Sequence, residues 1–365
     1  MSRQKPKLAR IADSLGVSTA TVSNALSGKG RVSPELAERI RATAAELGYV
    51  PSLAGRALRT GRSGVFGLVL PDISNPLFPK IAQAIENAAA KVGYGVLIAD
   101  SQGEVAAQTQ AIVRLLERGV DAMVVVPRRG TRIVEVGCPV AVIDSPSTPG
   151  NTVSADHWAG GHAMGRHLRL LGHSRVLLIG NSVASNVQSD RIGGIKAGLG
   201  SNAVTETMWL ENMEIEQGKG CSLGLAEVVA NGFTAVAAVS DLIALRALTE
   251  LQRAGIAVPE AVSVTGFDDL VWSSVTSPGL TTMRMDVATI ADIAVAALIE
   301  AIDQPKTTPH QGGDAVTAAQ ARVPMELVER QSTGPVAATV PVSAVHSKPK
   351  AHENVAKKPT EGELI

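Results

Sequence analysis

The chain has 365 residues, is 45% hydrophobic and carries 34 basic and 34 acidic side chains. That length calls for more than one domain, and that apolar content supplies sizeable cores. Two cysteines, Cys138 and Cys221, exclude a disulfide framework and suit a reducing compartment. The basic start runs into a helical pattern rather than an apolar stretch, so neither a signal peptide nor a membrane span is expected.

Residues 8–26, LARIADSLGVSTATVSNAL, read as two short helices joined by a tight turn. Leu8, Ile11, Ala12 and Leu15 share one helical face. Gly16 permits the left-handed backbone that ends a helix, and Ser18 can cap the next one. In that second helix Val22, Ala25 and Leu26 can pack inward. Thr19, Ala20, Thr21, Ser23 and Asn24 stay near its exposed start. This spacing fits a helix-turn-helix, whose second helix presents its N-terminal residues to base edges. Two helices of an ordinary bundle are the competing reading. A third helix follows: Ser33 is its cap, Pro34 its first residue, and Leu36, Ile40, Ala44 and Leu47 keep helical spacing until Gly48.

Residues 49–62, YVPSLAGRALRTGR, are short and basic, with too little apolar surface to fold alone. They fit a segment that orders on binding. Residues 1–62 hold eleven Lys and Arg against four Asp and Glu, a formal charge of +7, which leaves −7 on the remainder. A neutral total therefore hides a basic head, which attracts a phosphate backbone, on an acidic body.

From residue 64, short apolar runs (VFGLVLP, GVLIAD, AMVVVP, VAVIDS, RVLLIG, AVAAVS) alternate with helical stretches such as PKIAQAIENAAAKVG. That alternation predicts parallel, doubly wound sheets with helices on both faces. Ligands in such folds bind beyond the carboxyl ends of the strands. The residues there are Asp72, Ser74 and Asn75; Asp100 and Ser101; Asp144 and Ser145; Asp156; Arg191; Ser240 and Asp241; and Asp268 and Asp269. Carboxylates, short polar groups and an arginine suit a polyhydroxylated small molecule. Several of them are equally readable as helix caps.

VSTATVSNALSG, VSPELAERI and ELGYVPSLAGRALRTGRSGVFGLVLPDISNPLF, with GFDD at 266–269 and SPGLTT at 277–282, resemble the lactose-repressor (LacI/GalR) family over about residues 7–330. The resemblance implies an all-α helix-turn-helix domain at 1–50, a hinge helix at 51–62, and a two-lobed, periplasmic-binding-protein-like α/β domain at 63–330. A disordered tail is expected at 331–365. It further implies major-groove base contacts from Thr19, Ala20 and Asn24, with Ser18, Thr21 and Ser23 suited to phosphate. Leu58 would wedge into the minor groove, beside Arg56.

In the body the resemblance points to Asp72, Asn75, Phe78, Asp156, Arg191, Asp241 and Asp268 as effector contacts, and Trp158 is the ring best placed to stack on a sugar. The chain departs from the family pattern at Lys7 and Arg10, where a capping threonine and an acidic residue are usual, and at Gly55, Ser145, Ser240, Met285 and Asp286. The expected partners are a palindromic double-stranded DNA operator, a sugar or polyol effector and a second copy of the chain, with no membrane. The regulator would be a cytoplasmic repressor, without cofactor, metal or enzymatic activity. A nucleobase effector, a transport-class sugar-binding protein and an enzyme on the same fold are the alternatives. His157, His162 and His167 step around a helix and share no face, so they suggest no metal site.

Overall fold

The computed structural model describes residues 8–27, 30–49, 61–127, 133, 136–145, 150–304 and 321–336. The sequence-based expectations for Lys7, Gly55, Arg56 and Leu58 lie outside them, as does most of the expected hinge.

The head consists of α1 (Leu8–Leu15), α2 (Thr19–Ser27) and α3 (Pro34–Glu46). Gly16 ends α1 at φ 65°, and the Ser18 hydroxyl accepts from Thr21 N at 3.0 Å at the start of α2. Ser33 caps α3 by accepting from Leu36 N at 3.3 Å, ahead of Pro34. The three helices close over Ile11, Ala12, Val22, Ala25, Ala37, Ile40 and Ala44. Ile11, Val22 and Ile40 are fully buried, each contributing roughly 1.5–3 kcal/mol.

The body has two lobes. In the first, six parallel strands run in the order β11-β5-β4-β3-β1-β2 among the described residues. They are β1 (Val65–Leu70), β2 (Gly95–Asp100), β3 (Ala122–Val125), β4 (Val140–Ile143), β5 (Asn151–Ala155) and β11 (Ala321–Val323). Helices Leu77–Lys91 and Val287–Asp303 cover one face. Helix Val105–Glu117 covers the other.

In the second lobe, β6 (Arg175–Gly180), β7 (Val204–Trp209), β8 (Ala235–Ala238) and β9 (Ser263–Thr265) form a parallel sheet in the order β7-β6-β8-β9. It has its own core, built around residues such as Leu178, Ile195, Val236 and Phe267. The chain crosses between lobes after β5, returns through β10 (Thr282–Met285), and leaves again after β11 into β12 (Met325–Val328), which pairs antiparallel with β10.

Each of the six apolar runs read from the sequence contains a strand. The body also continues past residue 330, where the tail was expected to begin. Ser332 is fully buried. Its hydroxyl donates to Val264 O at 2.6 Å and accepts from Thr281 N at 2.8 Å. Polar residues between Val328 and Val336 thus edge the second lobe, which composition alone does not reveal. Among the described residues no helix is long and apolar enough to cross a membrane.

Candidate functional site: a groove-reading helix and an interlobe cleft

On α2, Val22 and Ala25 face the head core. Ser18, Thr19, Ala20 and Asn24 are exposed, and Thr21 and Ser23 are half-buried. Thr21 is also tied to the cap, its hydroxyl 2.8 Å from that of Ser18. The helix therefore offers one polar, short-side-chained surface at its N-terminal end, the shape a major groove admits.

The carboxyl ends of both sheets face one cleft of about 540 Å³. Asp72, Asn75 and Phe78 line it from the loop and helix after β1, and Asp144 and Ser145 from the end of β4. The second lobe adds Arg191, Ser240 and Asp268. Some of these side chains also hold their own loops. Asp72 accepts from Ser74 N and Oγ at 2.9 and 2.6 Å. Asn75 accepts from Leu77 N at 3.1 Å.

Arg191 and Asp268 form the charged floor. Arg191 Nη2 is 3.0 Å from Asp268 Oδ1, yet that oxygen is buried without a directed hydrogen bond. Arg191 Nη1 donates to Val239 O at 2.7 Å, and the guanidinium lies over the Phe267 ring at 4.8 Å. Asp144, Asp268 and Asp269 adopt positive φ angles of 55°, 104° and 45°. Backbone of this kind in non-glycine residues collects at ligand-binding sites. Lys80 of the first lobe reaches across to donate to the carbonyls of Asp268 and Asp269 at 3.2 and 3.3 Å.

Three residues expected in the cleft lie elsewhere. Asp241 is fully buried and its carboxylate is taken up by Leu270 N, Ser273 Oγ and Thr282 Oγ1 at 2.6–2.7 Å. It organises the loop behind Asp268, and a side chain at Gly266 would collide with it. Asp156 caps helix His157–Leu170 by accepting from Ala159 N at 3.0 Å. Trp158 is 47% exposed and stacks on His162. The cap reading therefore describes Asp156, while Asp241 is a structural acceptor. Lys80 and His157 carried no readable signal, because their partners are distant in sequence.

A helix-turn-helix head joined to a two-lobed α/β body with a polar interlobe cleft defines a class, the DNA-binding regulators with a small-molecule-type binding domain. Residues 7–52 match the model of bacterial regulatory proteins of the lacI family, and residues 166–333 that of a periplasmic binding protein-like domain. The HTH-type transcriptional regulator MalR of Streptomyces coelicolor is 31% identical over 312 residues, covering 81% of this chain and 90% of that protein. The ribose operon repressor of Haemophilus influenzae is 27% identical, covering 82% and 91%. The lac repressor dimer bound to operator and the anti-inducer ONPF shares the fold, with a TM-score of 0.71 at 24% identity, over 91% of this chain and all of that one. The chain belongs to the lacI family and is a DNA-binding transcriptional regulator.

Proposed function

We propose that this regulator is a cytoplasmic, dimeric repressor of a palindromic operator, controlled by a sugar or polyol bound in the interlobe cleft. It acts by binding rather than turnover. The observation that carries the effector class is Asp268 Oδ1, buried beside Arg191 at the cleft without a directed hydrogen bond. A ligand hydroxyl would satisfy it, and vicinal hydroxyls match an Asp–Arg pair. Among the described lining residues Phe78 is the one aromatic ring, which disfavours a stacked nucleobase. The ribose operon repressor among its relatives points the same way.

Thr19, Ala20 and Asn24 read bases, and Ser18, Thr21 and Ser23 set register on phosphate. The segment 51–62, with Arg56 and Leu58, orders in the minor groove. A second copy covers the outer edge of β2, where Leu97 and Ile98 are 37% and 54% exposed. The effector shifts operator affinity only by favouring one arrangement of the lobes over another.

A thermal-shift screen of pentoses, hexoses, disaccharides, polyols, sugar phosphates and nucleobases tests this reading. A rise in Tm with a neutral sugar or polyol supports it. A rise with a nucleobase alone overturns the effector class.

A further inference from the structure

His157 does not line the cleft, yet it touches residues of both lobes that do. Its side chain is fully buried at the start of helix His157–Leu170. Nε2 is 2.7 Å from Asp144 Oδ1 in the first lobe. Nδ1 accepts from Arg191 Nε of the second lobe at 3.3 Å. Arg191 in turn faces Asp268. We propose that His157 is a positioning residue that joins the lobes through Asp144 and Arg191, as a neutral ring protonated on Nε2.

The tautomer follows from donor inventory. A guanidinium has only N–H donors, so the imidazole nitrogen facing it must be the acceptor. The ring proton is then on Nε2, where Asp144 takes it. Arg191 Nε is committed to His157 and one Nη1 hydrogen to Val239 O. Nη2 lies beside Asp268, 3.0 Å from Oδ1, on the cleft side. Without His157 the guanidinium loses its Nε anchor and its fork loses direction.

Close helix packing makes the contact possible. Gly161 and Gly165 lie against the backbone of Arg191 and Ile195, and Gly194 and Gly198 against that of Trp158 and His162. A Cβ at any of these four positions would overlap a main-chain oxygen. The two helices therefore approach closely enough for His157 to reach Arg191. The chain Asp144–His157–Arg191–Asp268 has cleft-lining residues at both ends. Given an effector in the cleft, as proposed above, occupancy at one lobe is felt at the other through this ring.

The test needs no effector. Histidine and arginine side-chain ¹⁵N NMR is recorded on the full chain at pH 7.5. The histidine missing from the His157→Gln spectrum is expected to show an unprotonated Nδ1 and a protonated Nε2. A proton on Nδ1, or on both nitrogens, overturns the proposal. Asp144→Asn is expected to move the Arg191 Nε–H signal in the wild-type background and to leave it in place in His157→Ala. An equal movement in both overturns the link through His157. If His157→Ala does not fold, His157→Gln serves, because its amide keeps one donor and one acceptor. There the transmitted shift is expected to persist, and its loss overturns the proposal. An effector screen without hits sinks the cleft reading while leaving this result standing.

Discussion

Arg191 Nη2 and Asp268 Oδ1 stand 3.0 Å apart with each side chain 4% exposed, an ion pair inside the second lobe at the cleft. One comes from helix Asn186–Leu199 and the other from the loop after β9. A pair this deep adds little net stability over an apolar one, but losing one partner strands the other charge.

Arg191→Lys keeps the charge and removes the planar fork, a non-conservative change at such a site. We expect the Tm rise given by the sugar or polyol found in the screen to disappear, and effector-free operator binding to stay within about threefold, under 1 kcal/mol. Arg191→Ala should in addition destabilise the fold by roughly 3–5 kcal/mol. Fluorescence anisotropy with operator DNA decides between roles. Collapse of effector-free binding in a folded Arg191→Lys protein would make Arg191 structural.

Asp241 has its pKa raised to about 7, by burial first and then by the neighbouring Asp268. Three hydrogen-bond donors oppose the rise without cancelling it. The folded value lies above the unfolded one, so the folded state holds this proton more tightly. The resulting stability is full below about pH 4 and is lost as pH rises to about 7. Its upper bound is about 4 kcal/mol. Asp241→Asn should flatten that segment of the pH profile, measured as urea midpoints at pH 4.5 and 7.5. An unchanged slope would mean the carboxylate is ionised throughout.

Gly165→Ala would place a methyl against Ile195 O where helix His157–Leu170 crosses helix Asn186–Leu199. Overpacking of this kind costs about 1–3 kcal/mol, more than the roughly 1 kcal/mol alanine gains in helix propensity. A lower Tm is expected, together with a weaker effector response. A Tm equal to or above wild type would show that the helices can separate freely.

Asn24→Ala on the exposed side of α2 should cost about 1–3 kcal/mol at the selected operator and relax one base position. Binding to random DNA should change little, since it depends on phosphate contacts. Selection from a randomised DNA pool, followed by titration, checks both. Equal losses on specific and random DNA would remove Asn24 from base reading.

The head was the most legible part, because each of its determinants is local. Gly16, Ser18, Ser33 and Pro34 act on backbone within three residues, and the helical period marks the inward faces. The apolar strands of the body were legible for the same reason. β5, with the sequence NTVSA, was not, although it is wholly buried. Two of its polar side chains are satisfied by chain segments outside it: Thr152 Oγ1 accepts from Val142 N and Asn151 Oδ1 from Ser145 N. The short β9–β12 were hidden likewise, since their pairing depends on chain segments far away.

In the cleft, residue type and position after a strand placed Asp72, Asn75, Arg191 and Asp268 around one space, and the family resemblance added Phe78. The same logic gave no way to separate Asp268 from Asp241, two carboxylates that each follow a strand of the second lobe. One faces the cleft and the other is enclosed by Ser273 and Thr282.

The sequence by itself determined the helix-turn-helix, the alternating α/β body and the strand ends where polar groups gather, because backbone capping and hydrophobic periodicity act over a few residues. Only the tertiary structure decided which of those polar groups meet. Asp144 and His157 are 13 residues apart, His157 and Arg191 34. His157 and Arg191 are neighbours because two glycine-lined helices pack backbone to backbone.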